Sequence, residues 1–212
     1  MDTTNDTRTQ ADAVHTMSVN GTSYDVVRLL GKGKGGYSYL VRDADGAHYV
    51  LKQIHHEPCA YYQFGDKLAS ELNDYRTLKS IGVNVPEMVD VDEDAERILK
   101  QYIEGPTIYD LVAAGAVRPW HVEWMRATCR MLYAAHTNID YFPTNFVVHD
   151  DDIFYIDYEC NAYMEEWDFE HWGIKYWNRT PEYLAYVAEH TNDDGGDGDT
   201  THHGTDDIKE TT

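Results

Sequence analysis

Residues 30–41 read LGKGKGGYSYLV, and residues 48–54 read HYVLKQI. Both segments are rich in the β-branched and aromatic residues that favour strands, and residues 43–47 (DADGA) between them are typical of a turn. The preceding segment, residues 23–30 (SYDVVRLL), has the same character. We therefore predict an antiparallel meander with strands at 23–30, 37–42 and 48–54.

The glycines of this segment follow a recognisable spacing. Gly31, Gly33 and Gly36 form G-x-G-x-x-G between two predicted strands, whereas dinucleotide-binding proteins carry that spacing before a helix. Glycines let backbone N–H groups approach phosphate oxygens closely, and Lys32 and Lys34 add positive charge. The pattern indicates either a phosphate-binding loop or only a tight hairpin turn.

A charged pair is expected next to this loop. Lys52 lies in the strand at 48–54, and residues 66–80 are predicted to form a helix whose apolar face carries Glu71. An unpaired carboxylate is costly to bury on such a face. We therefore expect Lys52 to pair with Glu71 and to reach phosphate oxygens, although an isolated Lys52 is equally typical of a strand edge.

The rest of the chain is predicted to alternate between short strands and helices. These elements are strands near 87–91 and 97–102, a helix over 120–136, a hairpin of 146–149 with 153–157 closed by the acidic turn 150–152, and two helical pieces over 167–189 separated at Pro181.

Three oxygen-bearing side chains surround that hairpin. Asp140 lies five residues before Asn145, and Asp157 lies twelve residues after it. A carboxylate base, an amide oxygen and a second carboxylate suit a Mg²⁺-assisted transfer, because hard cations prefer oxygen ligands. Taken singly, Asp140 can be a turn former, Asn145 a strand-edge residue and Asp157 a cap.

Composition excludes several classes of protein. The formal net charge is −21, so the surface repels nucleic acid and anionic lipid. Three widely spaced cysteines, Cys59, Cys129 and Cys160, fit reduced thiols in a cytosol better than a disulfide framework. Residues 1–17 and 190–212 are poor in large apolar side chains, and we predict a disordered leader and a disordered acidic tail. We find no secretory leader or membrane span in the sequence and expect a cytoplasmic protein.

Together, these residues resemble the protein-kinase superfamily over residues 24–190. The resemblance implies an α+β, protein-kinase-like bilobal fold. Its N-lobe, residues 18–102, would be an antiparallel five-stranded sheet with one helix, and its C-lobe, residues 103–189, would be reduced and mainly helical. ATP and Mg²⁺ would be the cofactors.

The same resemblance implies a role for each candidate residue. The catalytic set is Asp140, Lys52 and Glu71; the nucleotide is held by Gly31, Gly33, Gly36, Lys52 and the backbone of Gln101 and Ile103; the metal is held by Asn145, Asp157 and Glu159.

Departures from the family pattern concern the phosphate acceptor. Asn138-Ile139 replaces the His-Arg before the catalytic aspartate, and Phe142 replaces a lysine common in serine/threonine kinases. Asp157-x-Glu159 replaces D-F-G and is similar to the choline- and aminoglycoside-kinase branch. In size the chain resembles small bacterial serine/threonine kinases and the atypical RIO-type kinases.

We therefore expect an ATP- and Mg-dependent phosphotransferase, and a small serine/threonine protein kinase in particular. The acceptor is a hydroxyl group on an unidentified protein or small molecule. A kinase acting on an amine-bearing compound or a sugar alcohol, and a pseudokinase scaffold, are the alternatives. Nine acidic residues between 150 and 170 either attract a cationic acceptor or form a solvated face.

Overall fold

The computed structural model describes residues 15–33, 35–57 and 65–191. Within these ranges the protein is a mixed α+β structure built on an antiparallel sheet. The strands are β1 (Thr16–Val19), β2 (Thr22–Lys32), β3 (Gly36–Arg42), β4 (His48–Ile54), β5 (Met88–Asp92), β6 (Arg97–Gln101), β7 (Thr137–Ile139), β8 (Phe146–His149), β9 (Asp152–Tyr155) and β10 (Cys160–Ala162). The helices are α1 (Lys67–Ile81), α2 (Ile108–Ala113), α3 (Pro119–Ala134) and α4 (Pro181–Thr191).

The main sheet has six strands in the order β1-β2-β3-β4-β6-β5, so the prediction of five strands is wrong. The additional strand, β1, pairs with β2 across a turn in which both Asn20 and Gly21 have positive φ, the geometry that Asn-Gly favours in hairpins. Met17 and Val19 of β1 are buried. The four-residue strand is too short for its alternation to stand out in the sequence.

The two faces of this sheet bury different groups. On one face, Leu51 of β4 and Leu99 of β6 pack in a cluster with β1 residues. On the other, Ile54 and Ile98 pack against Leu68 of α1. Since side chains alternate along a strand, the residues two positions from these on the same strands, including Lys52, face α1.

Helix α1 forms as the sequence predicts, with its ends shifted by one residue. Asp66 caps it by accepting from the N–H of Ala69 at 2.8 Å, and Gly82, with φ of 92°, ends it. Leu78 near its C-terminus is fully buried in the core formed mainly by residues beyond 103. The helix therefore connects the sheet to the remainder of the molecule.

The part from residue 103 onward combines three helices with two small sheets. The β8–β9 hairpin forms as predicted, and β7 pairs with β10. Helix α2 was not predicted, and residues 167–180 form short 3₁₀ turns in place of the first predicted helical piece. An aromatic core explains this: the largest fully buried side chains here are Trp177, Tyr141, Tyr155, Tyr158, Phe142, Phe146 and Phe169.

The predicted domain limits need small corrections at both ends. Strand β1 begins at Thr16, inside the predicted leader, and α4 runs to Thr191, past the predicted tail boundary. The rest of the leader and tail, with Lys34 and Cys59, lies outside the described residues. Within the described ranges, no helix combines the length and the apolar character needed to cross a bilayer.

Candidate active site

Three of the predicted residues meet at one point. Lys52 Nζ lies 2.7 Å from Glu71 Oε2 and 3.9 Å from Asp157 Oδ1. The ion pair expected between Lys52 and Glu71 is therefore present. Strand β4 supplies Lys52, and helix α1 supplies Glu71. Asp157 reaches the same ammonium group from the segment after β9.

This cluster is largely removed from water. The side chains of Lys52 and Glu71 are 13% and 10% exposed, whereas that of Asp157 is 34% exposed. Burial alone would lower the pKa of Lys52, but the negative charges of Glu71 and Asp157 outweigh it and raise that pKa. Lys52 is therefore a permanent cation with one partner in the interior and one open to solvent.

The glycine segment lies over this cation. A Cβ atom on Gly35 would lie 3.5 Å from Lys52 Nζ, so the backbone of the loop approaches the ammonium group closely. Gly33 and Gly36 exchange N–H···O bonds of 2.9 and 3.3 Å that close the hairpin. Gly31 pairs with Ser38 in the β2–β3 ladder.

Lys32 has a different environment from the one that its sequence position suggests. Its Nζ lies 2.8 Å from Glu57 Oε2, and Tyr37 donates to the same carboxylate at 2.6 Å. These contacts lower the pKa of Glu57 below the usual range of a glutamate and raise the pKa of Lys32 above that of a lysine. The Lys32 charge is thus already balanced by a neighbouring side chain.

The segment that carries Asp140 is tied to the segment that carries Asp157. Asp140 Oδ1 accepts from the N–H of Phe142 at 3.0 Å, and Asn145 Nδ2 donates to the Asp140 carbonyl at 3.4 Å. The Asn145 carbonyl accepts from the N–H of Ile156 at 2.9 Å. These bonds turn the Asn145 amide nitrogen toward Asp140 and leave its oxygen as the ligand atom that a cation requires.

Tyr155 is a functional candidate that the sequence analysis missed. Its hydroxyl accepts from the N–H of Asp140 at 3.4 Å and donates to the Glu159 carbonyl at 2.8 Å. Burial raises the pKa of Tyr155 well above its usual value, and the charges of Asp157, Asp140 and Glu159 raise it further. The hydroxyl therefore joins the backbone of Asp140 to that of Glu159. A tyrosine inside an apolar strand carries no sequence signal of that role.

Glu159 approaches the same region through strand pairing. The β7–β10 register ends at Ile139 opposite Cys160, so Asp140 and Glu159 are the next residues along the two strands. Glu159 Oε1 also accepts from Asn161 at 3.0 Å.

No cluster of three His, Cys, Asp or Glu side chains suited to a metal occurs in the described residues. The predicted magnesium set contains two carboxylates and one amide, Asn145, and such a set needs phosphate or water oxygens to complete it. Asp157 Oδ1 accepts from the N–H of Tyr158 at 2.8 Å, which orients the carboxylate. By their chemistry, these oxygen donors would suit a magnesium ion.

Neither a known family model nor a curated protein matches this chain.

The residues proposed to hold the base lie at the end of β6. Gln101 donates its N–H to the Glu87 carbonyl at 2.9 Å, and Ile103 is buried. The contact of their backbone with adenine stays a prediction.

Lys100, beside Gln101, is a second residue that the sequence analysis missed. It is only 6% exposed, and its Nζ donates to the Ile156 carbonyl at 2.7 Å. Burial and the nearby charge of Lys52 lower its pKa to about 8. A lysine directly after Ile98 and Leu99 in a buried strand is the signal that could have revealed it.

Asp168 has a structural role. It is buried, and its Oδ1 accepts from the N–H of His171 at 2.8 Å, while its Oδ2 accepts from Tyr163 at 3.1 Å. Both carboxylate oxygens therefore bond to groups within residues 163–171. Asn138, two residues before Asp140, donates to the Met164 carbonyl at 2.9 Å.

Proposed function

We propose that this protein is an ATP- and Mg-dependent phosphotransferase with a protein-kinase-like bilobal fold. The observation that carries the proposal is the meeting of Lys52 with both Glu71 and Asp157. Strand β4, helix α1 and the segment after β9 supply these residues, and the sequence indicates all three as site residues. A cation held by one buried carboxylate and facing a second, exposed carboxylate suits a phosphate chain and its metal.

The bilobal arrangement has support from the packing. A six-stranded sheet with helix α1 precedes a part that has its own aromatic core. Lys52 and the glycine segment belong to the first part, whereas Asp140, Asn145 and Asp157 belong to the second. The proposed nucleotide would lie where these two groups face each other.

Each side chain would contribute by position and charge. Lys52, fixed by Glu71, would bind phosphate oxygens, and the glycine segment would cover them with backbone N–H groups. Asn145 and Asp157, with Glu159, would hold Mg²⁺, which neutralises charge on the transferred group when it is bound. Asp140 would orient the acceptor hydroxyl and accept its proton.

A serine or threonine hydroxyl of a protein is the acceptor that we propose first, because of the resemblance to small bacterial kinases. A small-molecule acceptor is the second candidate, because Phe142 replaces the lysine that is common in serine/threonine kinases. Phe142 is fully buried and packs against Tyr176 and Tyr186, so no cation at that position reaches the phosphate. The acidic face is also partly neutralised, since Arg126 binds Glu170 at 2.8 Å.

Transfer from γ-labelled ATP tests the proposal, with protein, amine-bearing and sugar-alcohol acceptors offered separately. We expect Mg²⁺-dependent labelling of one acceptor class, or of the chain itself, and a loss of about 100-fold or more in Asp140→Asn. Lys79→Met, which breaks an exposed ion pair with Glu87, serves as the matched control. Absence of Mg-dependent transfer to every class, or full activity of Asp140→Asn, would contradict the proposal.

A further inference from the structure

The short segment around Asp157 is held on both sides by one side chain. Lys100 Nζ donates to the carbonyl of Ile156 at 2.7 Å and lies 4.5 Å from the ring centroid of Tyr158. One contact is a hydrogen bond and the other is a cation–π interaction. The residues immediately before and after Asp157 are therefore both fixed to the same ammonium group.

Strand register brings Lys100 to this position. In the sheet, Lys100 pairs with Val50 of β4, and Ile98 pairs with Lys52. Lys100 and Ile98 are two residues apart on β6 and so face the same side, toward α1 and the Lys52 cluster. Lys100 enters the candidate active site from the sheet, opposite the segment that carries Asp157.

Keeping this ammonium group in the interior is costly. Lys100 is 6% exposed, and burial together with the charge of Lys52 lowers its pKa to about 8. A methionine could fill similar space without that cost. The two contacts that methionine cannot make, a hydrogen bond to a carbonyl oxygen and a cation–π contact with a ring, are therefore the feature that needs an explanation.

The distances around Lys52 show what these contacts can accomplish. Glu71 closes to 2.7 Å from Lys52, whereas Asp157 stays at 3.9 Å. Opposite charges at that separation attract one another, so a free Asp157 segment would move toward a tight pair with Lys52. The contacts of Lys100 with Ile156 and Tyr158 oppose that movement, and the Asp157 carboxylate stays partly exposed to solvent.

We propose that Lys100 is a positioning residue that holds Asp157 apart from Lys52 and presents its carboxylate to Mg²⁺. The inference rests on the proposed function. Lys100 acts on the metal through the backbone of Ile156 and the ring of Tyr158. Residues that orient a metal ligand commonly contribute about 10- to 100-fold in metal affinity.

The test measures ATP binding by calorimetry in the full chain, once with excess EDTA and once as a Mg²⁺ titration. In Lys100→Met we expect the apparent Mg²⁺ affinity to fall about 10- to 100-fold, while ATP affinity in EDTA changes by less than about threefold. Lys79→Met is the matched control, because Lys79 is an exposed lysine paired with Glu87. A general loss of packing would weaken both titrations together and would overturn the proposal.

The remaining outcomes separate the two proposals. Suppose that Mg²⁺ strengthens ATP binding in the wild-type chain and in Lys100→Met at the same Mg²⁺ concentration. In that case the positioning role is wrong and the proposed phosphotransferase function stands. If the wild-type chain shows no Mg²⁺ effect on ATP binding, the proposed function fails and the positioning role fails with it. Should Lys100→Met not fold, Lys100→Gln, which keeps a donor but loses the charge, is judged by the same criteria.

Discussion

The ion pair between Lys52 and Glu71 has an energetic consequence that is independent of any ligand. Both side chains are about nine-tenths buried, and the second oxygen of Glu71 is buried without a hydrogen bond among the described residues. Removing one member of such a pair leaves an uncompensated charge in the interior, and that costs more than the pair itself contributes.

We predict that Lys52→Met lowers the free energy of unfolding by about 3 kcal/mol, measured by urea denaturation. The double variant Lys52→Met/Glu71→Leu should recover most of this loss, because no charge is then left alone. Lys79→Met, which breaks an exposed pair, should cost no more than about 1 kcal/mol. If Lys52→Met is as mild as Lys79→Met, the pair is not buried as described.

Lys100 predicts a pH dependence of stability. Its pKa in the folded protein is about 8, below the ordinary lysine value of about 10.4. The folded state therefore binds fewer protons than the unfolded state between these values, and stability rises with pH in that window. Below pH 8 the lysine is charged in both states, and the cost is fully present.

The measurement compares wild type with Lys100→Met by urea denaturation at pH 7, 8 and 9. The stability of wild type relative to the variant should be constant up to about pH 8 and then rise by about 1 kcal/mol per pH unit. The comparison cancels the opposing effect of Cys129 and Cys160, whose buried thiols have pKa values raised to about 12. A difference that does not change up to pH 9 would show that Lys100 titrates normally.

These residues also show what single-residue reasoning can reach. Glu71 could be paired with Lys52 in advance, because a lone acid on an apolar helix face requires a partner. The burial of Lys100 could have been predicted from its strand, but the roles of Lys100 and Tyr155 could not, since both come from strand register and from contacts with backbone groups. Such contacts depend on tertiary structure and leave no pattern in the sequence.

At the level of elements, the glycine hairpin can be tested without a nucleotide. A Cβ atom on Gly36 would overlap the carbonyl oxygen of Gln53 on β4, whereas one on Gly33 would meet nothing within 4 Å. Gly36 pairs with Ile54 at the end of the β3–β4 ladder. A side chain is therefore excluded at Gly36 by the neighbouring strand, whereas Gly33 has open space for one.

We predict that Gly36→Ala lowers the free energy of unfolding by about 2 kcal/mol, because the β3–β4 ladder must open to admit the methyl group. Gly33→Ala should stay within about 0.5 kcal/mol of wild type. Thermal unfolding of both variants under identical conditions checks the pair. Equal effects in the two variants would contradict the close backbone approach at Gly36.

Element prediction succeeded where the periodic pattern was long and failed where structure depends on distant contacts. Helix α1 and the β8–β9 hairpin follow from spacing and turn residues. Helix α2 has only six residues and depends on a capping box at Thr107, which also forms a bridge with Val147. The 3₁₀ turns before α4 follow the packing of large aromatic rings around Tyr141, and local propensity does not report that packing.

At the level of the whole molecule, the proposed function needs the charged groups of the main sheet and those of the part after residue 103 to meet at one active site. The main sheet supplies Lys52 and Lys100, and the segment after β9 supplies Asp157. A ligand that bridges the two parts should stabilise both of them together, because it binds the folded chain only.

Thermal unfolding with ATP, with and without Mg²⁺, tests this requirement most directly. At a nucleotide concentration of about 100 times Kd, stabilisation of about 2.7 kcal/mol is expected, which raises Tm by about 5 °C or more in a chain of this size. We predict that the shift is larger with Mg²⁺ than in EDTA, and that this Mg²⁺-dependent increase is lost in Asp157→Ala. No shift with saturating Mg·ATP, or an equal shift in Asp157→Ala, would contradict the proposed function.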